Sequence, residues 1–133
     1  MKMILSFILL LVVSAGGCKK GNEPVANLNG TYKGTFQRKV SGQGAVSNIT
    51  LNFSADSWTG QSQTAKYPAL SEGTFSIKGD SISFKNSSMW TAEFDWSLIL
   101  DGKYELKSSG KNMVISKAYS NGNVDVYTLA KQQ

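Results

Sequence analysis

The chain opens on an almost unbroken apolar run, Ile4 to Val13, and from Leu28 onward changes to a two-residue period. Alternation of that kind sends successive side chains to opposite faces of a strand, whereas an amphipathic helix repeats every 3.6 residues. Tyr32, Gly34 and Phe36 alternate with Thr31, Lys33, Thr35 and Gln37; Ile49, Leu51 and Phe53 alternate with Thr50, Asn52 and Ser54. Phe75 and Ile77, Ile82 and Phe84, and Tyr104 and Leu106 continue the pattern against Ser, Thr, Lys and Glu. The longest alternation sets Trp90, Ala92, Phe94, Trp96, Leu98 and Leu100 against Thr91, Glu93, Asp95 and Ser97. Met113 to Ile115 and Val124 to Leu129 close the chain less regularly, and a further strand is expected around Trp58. No window supports a helix longer than a turn or two.

Turn chemistry separates these runs at Gly79-Asp80, Asp101-Gly102, Ser109-Gly110 and Asn121-Gly122, which are hairpin signals. Gln61 to Ser71 is the longest irregular connection. The pattern therefore predicts an all-β domain of about eight or nine antiparallel strands. Two architectures bury one face of each strand: a sheet closed into an up-and-down β-barrel, or a β-sandwich. Successive hairpins without long crossovers favour the barrel of about eight strands.

Composition narrows the chemistry. The 133 residues make one domain, and 41% apolar with 11% aromatic residues is too much for a disordered chain. There is no histidine and one cysteine, which excludes Ser-His and Cys-His catalysis, His-ligated metals, thiolate zinc clusters and an internal disulfide. No Gly-rich phosphate loop and no Gly-x-Ser-x-Gly is present. No enzyme activity, cofactor or metal is expected. The formal charge is +5, but beyond Lys19-Lys20 the lysines alternate with acids along strands instead of clustering. Nucleic acid is not an expected partner, and the positive balance reads as solubility and attraction to an anionic membrane surface.

The N-terminal run has the three parts of an export signal: Lys2, the apolar segment, and small residues Ser14-Ala15-Gly16-Gly17. It is about ten residues long, half the ~20 that a spanning helix needs. A buried core helix is the alternative, disfavoured because polar sequence begins straight after Cys18. Ala15-Gly16-Gly17-Cys18 resembles the lipobox of bacterial lipoproteins, with Ala15 where the usual pattern has Leu. That resemblance implies cleavage before Cys18, a diacylglycerol on its thiol and an acylated amine. It divides the chain into a signal peptide (1–17), a lipidated cysteine and tether (18–27) and a folded domain (28–133). The bilayer is then a partner through acylated Cys18. Lys19 in place of an aspartate leans toward the outer membrane of a Gram-negative envelope; the periplasmic and surface faces both stay open.

Gly30-Thr31-Tyr32 at the first strand, and Tyr127-x-Leu129-x-Lys131 at the last, resemble small lipocalin-like (calycin-type) domains. Tyr32 stands where that superfamily has Trp, and Lys131 is placed to cover its ring. The resemblance implies a barrel that binds a small apolar ligand. Its interior face would carry Tyr32, Phe36, Arg38, Leu51, Phe53, Phe75, Phe84, Phe94, Trp96 and Tyr104. The bulk of these side chains favours a barrel filled by its own residues instead. Such a barrel would act as a module for protein or glycan contacts, with Tyr67, Met89 and Trp90 as an aromatic patch at one end. Alternatively, Tyr67 and Trp90 plug that end as core. Arg38, the sole arginine, continues the Tyr32–Phe36 face. It either meets a ligand carboxylate at the mouth or ends its strand in water. Glu93 and Asp95, about 7 Å apart if they share a strand face, read as a solvated outer face rather than an acid–base pair. Asp80-Ser81-Ile82 is similar to a short O-glycosylation motif of exported proteins, with a plain turn as the alternative.

Overall fold

The computed structural model describes residues 27–133, Ala92 excepted; the expected signal peptide (1–17), Cys18 and the expected tether up to residue 26 lie outside the described residues. Eight strands follow in order: β1 (Gly30–Lys39), β2 (Val46–Ser54), β3 (Ser57–Ser62), β4 (Glu72–Lys78), β5 (Ser81–Asn86), β6 (Gly102–Ser109), β7 (Asn112–Ala118) and β8 (Val124–Lys131). Each pairs antiparallel with the next, and β8 returns to β1, closing an up-and-down barrel. The closing ladder runs from Tyr32 opposite Lys131 to Lys39 opposite Val124. That ladder rules out the sandwich, which would leave β1 and β8 as free edges.

The inward face is the apolar stripe of each strand, and aromatic rings fill it. Phe36 packs on Tyr127 at 4.8 Å, Tyr127 on Tyr104 at 6.0 Å, Tyr104 on Phe84 at 5.6 Å, and Phe84 on Trp58 at 5.8 Å. Phe53 meets Tyr32 at 5.5 Å and Phe75 at 5.0 Å. Most of these contacts are edge to face, the arrangement that ring quadrupoles favour. Leu51, Ile82, Ile115 and Leu129 are buried between the rings. A barrel of eight strands is just wide enough to be filled this way. Phe75 is half-buried at the margin.

Two glycines let the sheet coil tightly enough to close. A Cβ on Gly34 would lie 1.8 Å from the Thr128 carbonyl oxygen of β8. A Cβ on Gly73 would lie 1.9 Å from the Lys85 carbonyl oxygen of β5 and 2.8 Å from Trp58 Nε1. Any side chain there would push a neighbouring strand out of register. Close packing at Gly73 has a cost: the Trp58 indole N–H is buried without an acceptor.

One predicted strand is absent. The alternating segment from Trp90 to Leu100 belongs to a long connection between β5 and β6 that contains a single 3₁₀ turn, Trp96–Leu98. Two physical reasons stand out. The eight other strands already complete the ring, so no edge is left to pair with it. Asp95 also accepts the Ser97 amide at 3.0 Å, the N-cap geometry that starts a helical turn. The alternation instead records a segment lying across the barrel end. Leu100 is buried, Leu98 packs on the core, and Ile99 bridges to Ala69 in the β3–β4 connection.

The two ends of the barrel differ. Tight turns at 55–56, 79–80 and 110–111 join strands at one end, where the chain also enters through buried Leu28 and where β8 finishes. The β1–β2, β3–β4, β5–β6 and β7–β8 connections all gather at the other end. Asp101-Gly102 therefore ends a long connection rather than a tight hairpin. Asp101 Oδ1 accepts the Asn86 amide at 2.9 Å and draws the two ends of that connection together.

Candidate functional site

Inward residues at the loop end of the barrel are polar, and Arg38 on β1 organises them. Its register partner on β8 is Asp125, also on the inward face. Arg38 Nε donates to Asp125 Oδ1 at 2.6 Å and Nη2 donates to Oδ2 at 2.7 Å, a two-pronged pair. The Asp125 side chain is 1% exposed and that of Arg38 10%. The Tyr119 hydroxyl, from the β7–β8 connection, lies 2.8 Å from Asp125 Oδ2. Its ring sits beneath the guanidinium, 5.1 Å from ring centre to Cζ. Asp125 holds the guanidinium proton firmly, so the Arg38 pKa moves up.

The free edge of the guanidinium reaches the β5–β6 connection. Nη1 donates to Asp95 Oδ2 at 2.9 Å and to Ser97 Oγ at 2.8 Å, and Nη2 donates to the Ser97 carbonyl at 3.1 Å. Ser97 Oγ donates in turn to Asp95 Oδ1 at 2.6 Å. Hydrogen bonds from the Ser97 hydroxyl and amide, joined by Arg38, hold the Asp95 carboxyl below the usual carboxylate range. The Asp95 side chain nonetheless remains 61% exposed. Arg38 thus clamps a loop onto the barrel: one face of its fork is fixed in the wall, the other on the 3₁₀ turn.

A second clamp holds the β3–β4 connection. Buried Ser47 Oγ lies 2.9 Å from Ser62 Oγ and accepts the Thr64 amide, while Ser62 Oγ donates to the Tyr67 carbonyl at 2.8 Å. The Tyr67 ring packs edge to face on Phe36 at 5.0 Å. Its hydroxyl donates to the Ala45 carbonyl and accepts the Arg38 amide. Tyr67, Pro68 and Ala69 therefore plug the barrel, and Ala69 pairs with Leu98 and Leu100 across the mouth.

Several sequence expectations change here. Phe94 and Trp96 are not in the barrel interior; both belong to the β5–β6 connection, Phe94 half-buried and Trp96 57% exposed. Arg38 neither ends its strand in water nor faces an open mouth, because two carboxylates of its own chain occupy it. Glu93 and Asp95 share no strand face, since the segment is not a strand. Of the two readings weighed for Tyr67, the plug is the one observed; Trp90, weighed with it, is half-buried in the β5–β6 connection. Lys131 faces Tyr32 in register, but its stem runs over Gly30. Among the described residues, cation–π contacts are made by Arg38, Lys66 and Lys117 instead. Asp80 sits in the β4–β5 turn and Ser81 begins β5.

Beside exposed polar residues such as Glu93 and Asp95, the loop end carries an aromatic row. Trp90, Phe94 and Trp96 form a row with ring centres 5.8 Å and 6.2 Å apart, and Lys66 Nζ covers Phe94 at 5.1 Å. Met89, next to this row in sequence, is 93% exposed. The exposed large apolar residues among those described are Val40, Val46, Met89 and Trp96, and all four lie at this end.

The opposite end carries a half-open depression of about 1010 Å³. Leu28, Tyr32, Leu106 and Met113 form its apolar floor, and Asp80, Glu105, Lys107, Lys111 and Lys131 line it. Asn27, the first described residue, is also part of its wall. Among the described residues no group of carboxylates or cysteine is arranged to hold a metal ion. No helix of the described residues is long and apolar enough to cross a membrane.

Compared with known proteins, the chain matches no family model, no curated protein and no solved structure.

The two carboxylates on Arg38 should differ in weight. Asp125→Asn leaves a buried guanidinium without its counter-charge and should lower unfolding free energy by about 3–5 kcal/mol. Asp95→Ala removes an exposed partner and should cost about 1 kcal/mol or less. Urea unfolding monitored by tryptophan emission measures both; equal losses would refute the ranking. Burial raises the pKa of Tyr32, Tyr104, Tyr119 and Tyr127, with Asp125 adding to the effect at Tyr119. These phenols stay neutral in the fold at a pH where they ionise in the unfolded chain. The unfolded state then binds fewer protons, so stability is intact below about pH 10 and falls above it. Phenolate absorbance and circular dichroism followed through alkaline titration should change together, cooperatively; phenolate formation without loss of ellipticity would contradict this.

Proposed function

We propose that this chain is a noncatalytic, lipid-anchored protein of the bacterial cell envelope, lipocalin-like in type. Its filled barrel works as a rigid body that presents a contact surface on its long connections. The observation that carries this reading is the gathering of Val40, Val46, Met89 and Trp96 at one end, opposite the end where residue 27 enters. Large apolar side chains held in water mark a contact surface. The Arg38 clamp favours binding without loop rearrangement, since it fixes the connection that carries Trp96 to the barrel wall. The partner is a protein or a glycan, and the Trp90–Phe94–Trp96 row offers flat rings for either. An apolar ligand inside the barrel, which the family resemblance implies, has less support. It would have to displace rings already packed 4.8 to 6.0 Å from one another, and open two clamped loops.

The three tryptophans separate these readings. Trp58 reports the interior, Trp90 the half-buried base of the patch and Trp96 its surface. Titration with a fatty acid should leave the Trp58 indole N–H resonance unmoved. Soluble fragments of envelope polysaccharide or envelope protein, when they bind, should shift Trp96 and Trp90. A saturable shift at Trp58 with fatty acid would defeat the filled-barrel reading. The anchor has a separate test: Cys18→Ser should move the protein from the membrane to the soluble fraction of its host. Unchanged partitioning would remove the lipid from the proposal.

A further inference from the structure

We propose that the depression at the tight-turn end is a seat for the phosphate of an anionic lipid headgroup, so that the barrel rests on the bilayer by this end. The proposal rests on the reading of a lipid-anchored protein and adds a specific second contact to it. Lys111 and Lys131 carry the argument. Asn112 pairs with Ala130, which sets Lys111 opposite Lys131, and the Lys131 amide donates to the Lys111 carbonyl at 2.8 Å. Lys131 ends β8 two residues past buried Leu129, in phase with its inward face, and Lys111 ends the β6–β7 turn two residues before buried Met113. Both line the depression, and neither makes an ion pair among the described residues. Like charges directly opposite on adjacent strands repel. An anion between them relieves that repulsion.

The remaining charges of the depression define its sign. Lys107 is 3.3 Å from Glu105, so those two largely neutralise each other. Asp80 also lines the depression, and three lysines against two carboxylates leave a small positive excess there. Below the lysines the floor is apolar, formed by Leu28, Tyr32, Leu106 and Met113. A cationic rim over an apolar floor fits a phosphate joined to glycerol and acyl carbons better than a free ion. The tether gives the surface its occupant. Asn27 lies in the wall, and eight residues separate it from Cys18, a reach of at most about 30 Å when extended. A lipidated Cys18 holds this end close to headgroups, and contact brings the lysines inside the ~10 Å screening length.

The experiment uses the full mature chain with Cys18→Ser, which removes the anchor and leaves only headgroup affinity. Co-sedimentation with phosphatidylglycerol-containing vesicles should show binding, and with pure phosphatidylcholine vesicles none. Lys111→Gln with Lys131→Gln should weaken the partition coefficient roughly 10- to 30-fold, given about 1 kcal/mol per lysine near such a surface. Lys39→Gln with Lys85→Gln, an equal change in charge on other parts of the barrel wall, should leave it unchanged. No binding, or an equal loss in both double variants, overturns the proposal. Displacement from the vesicles by millimolar inorganic phosphate also overturns it, showing a free-anion site in place of a lipid seat. Without vesicles, the Lys111→Gln, Lys131→Gln chain should melt at or above the parent temperature, because it loses a repulsion. A lower melting temperature would show that the lysines support the fold and would sink the argument. Because the anchor is absent throughout, failure here is distinguishable from failure of the Cys18 reading, which the host fractionation measures alone.

Discussion

Closure of the β1–β8 ladder is the constraint on which the rest of this molecule depends. Strands of six to ten residues are short, and an open sheet of them would leave two unsatisfied edges. The ladder forms only because Gly34 lets the β8 backbone approach where any Cβ would meet the Thr128 carbonyl. Once it forms, Arg38 and Asp125 face each other across it and the guanidinium is neutralised inside the wall. The same pair then offers its outer side to the β5–β6 connection. Fold and clamp therefore form one causal sequence that begins at a glycine.

Much of the fold was legible in the sequence because a half-buried strand writes its burial as period two. The strands around Tyr32, Leu51, Phe84 and Tyr104 have their inward faces where the alternation put them. Trp90 to Leu100 shows how that inference fails. Alternation reports that every second residue meets something apolar, and a loop lying across a barrel mouth satisfies the condition without pairing. The signals that distinguish the two were local: Asp95 two residues before Ser97 starts a turn, and Asp101-Gly102 ends the connection.

The Arg38 cluster was half legible. Arg38 stood on the inward face of β1, and Asp125 stood on the inward face of β8, in phase with Tyr127 and Leu129. A charged residue of each sign at inward positions of the first and last strands is what a closed barrel can pair. Tyr119 and the Ser97 carbonyl were not readable, because they come from connections whose path depends on tertiary contacts. The Lys111–Lys131 juxtaposition likewise needs the β7–β8 register, which turn chemistry alone does not specify.

The polarity of the barrel has a mechanical consequence. The N-terminal segment enters at the start of β1, and the loops that carry the exposed apolar residues lie at the far end of the same strands. Tension between the two runs lengthwise along β1, which is bonded on both flanks. Ladder bonds stand perpendicular to their strands, so a lengthwise pull loads the whole row in shear instead of unzipping it bond by bond. A body attached at these two places resists tugging far better than one gripped across its sheet.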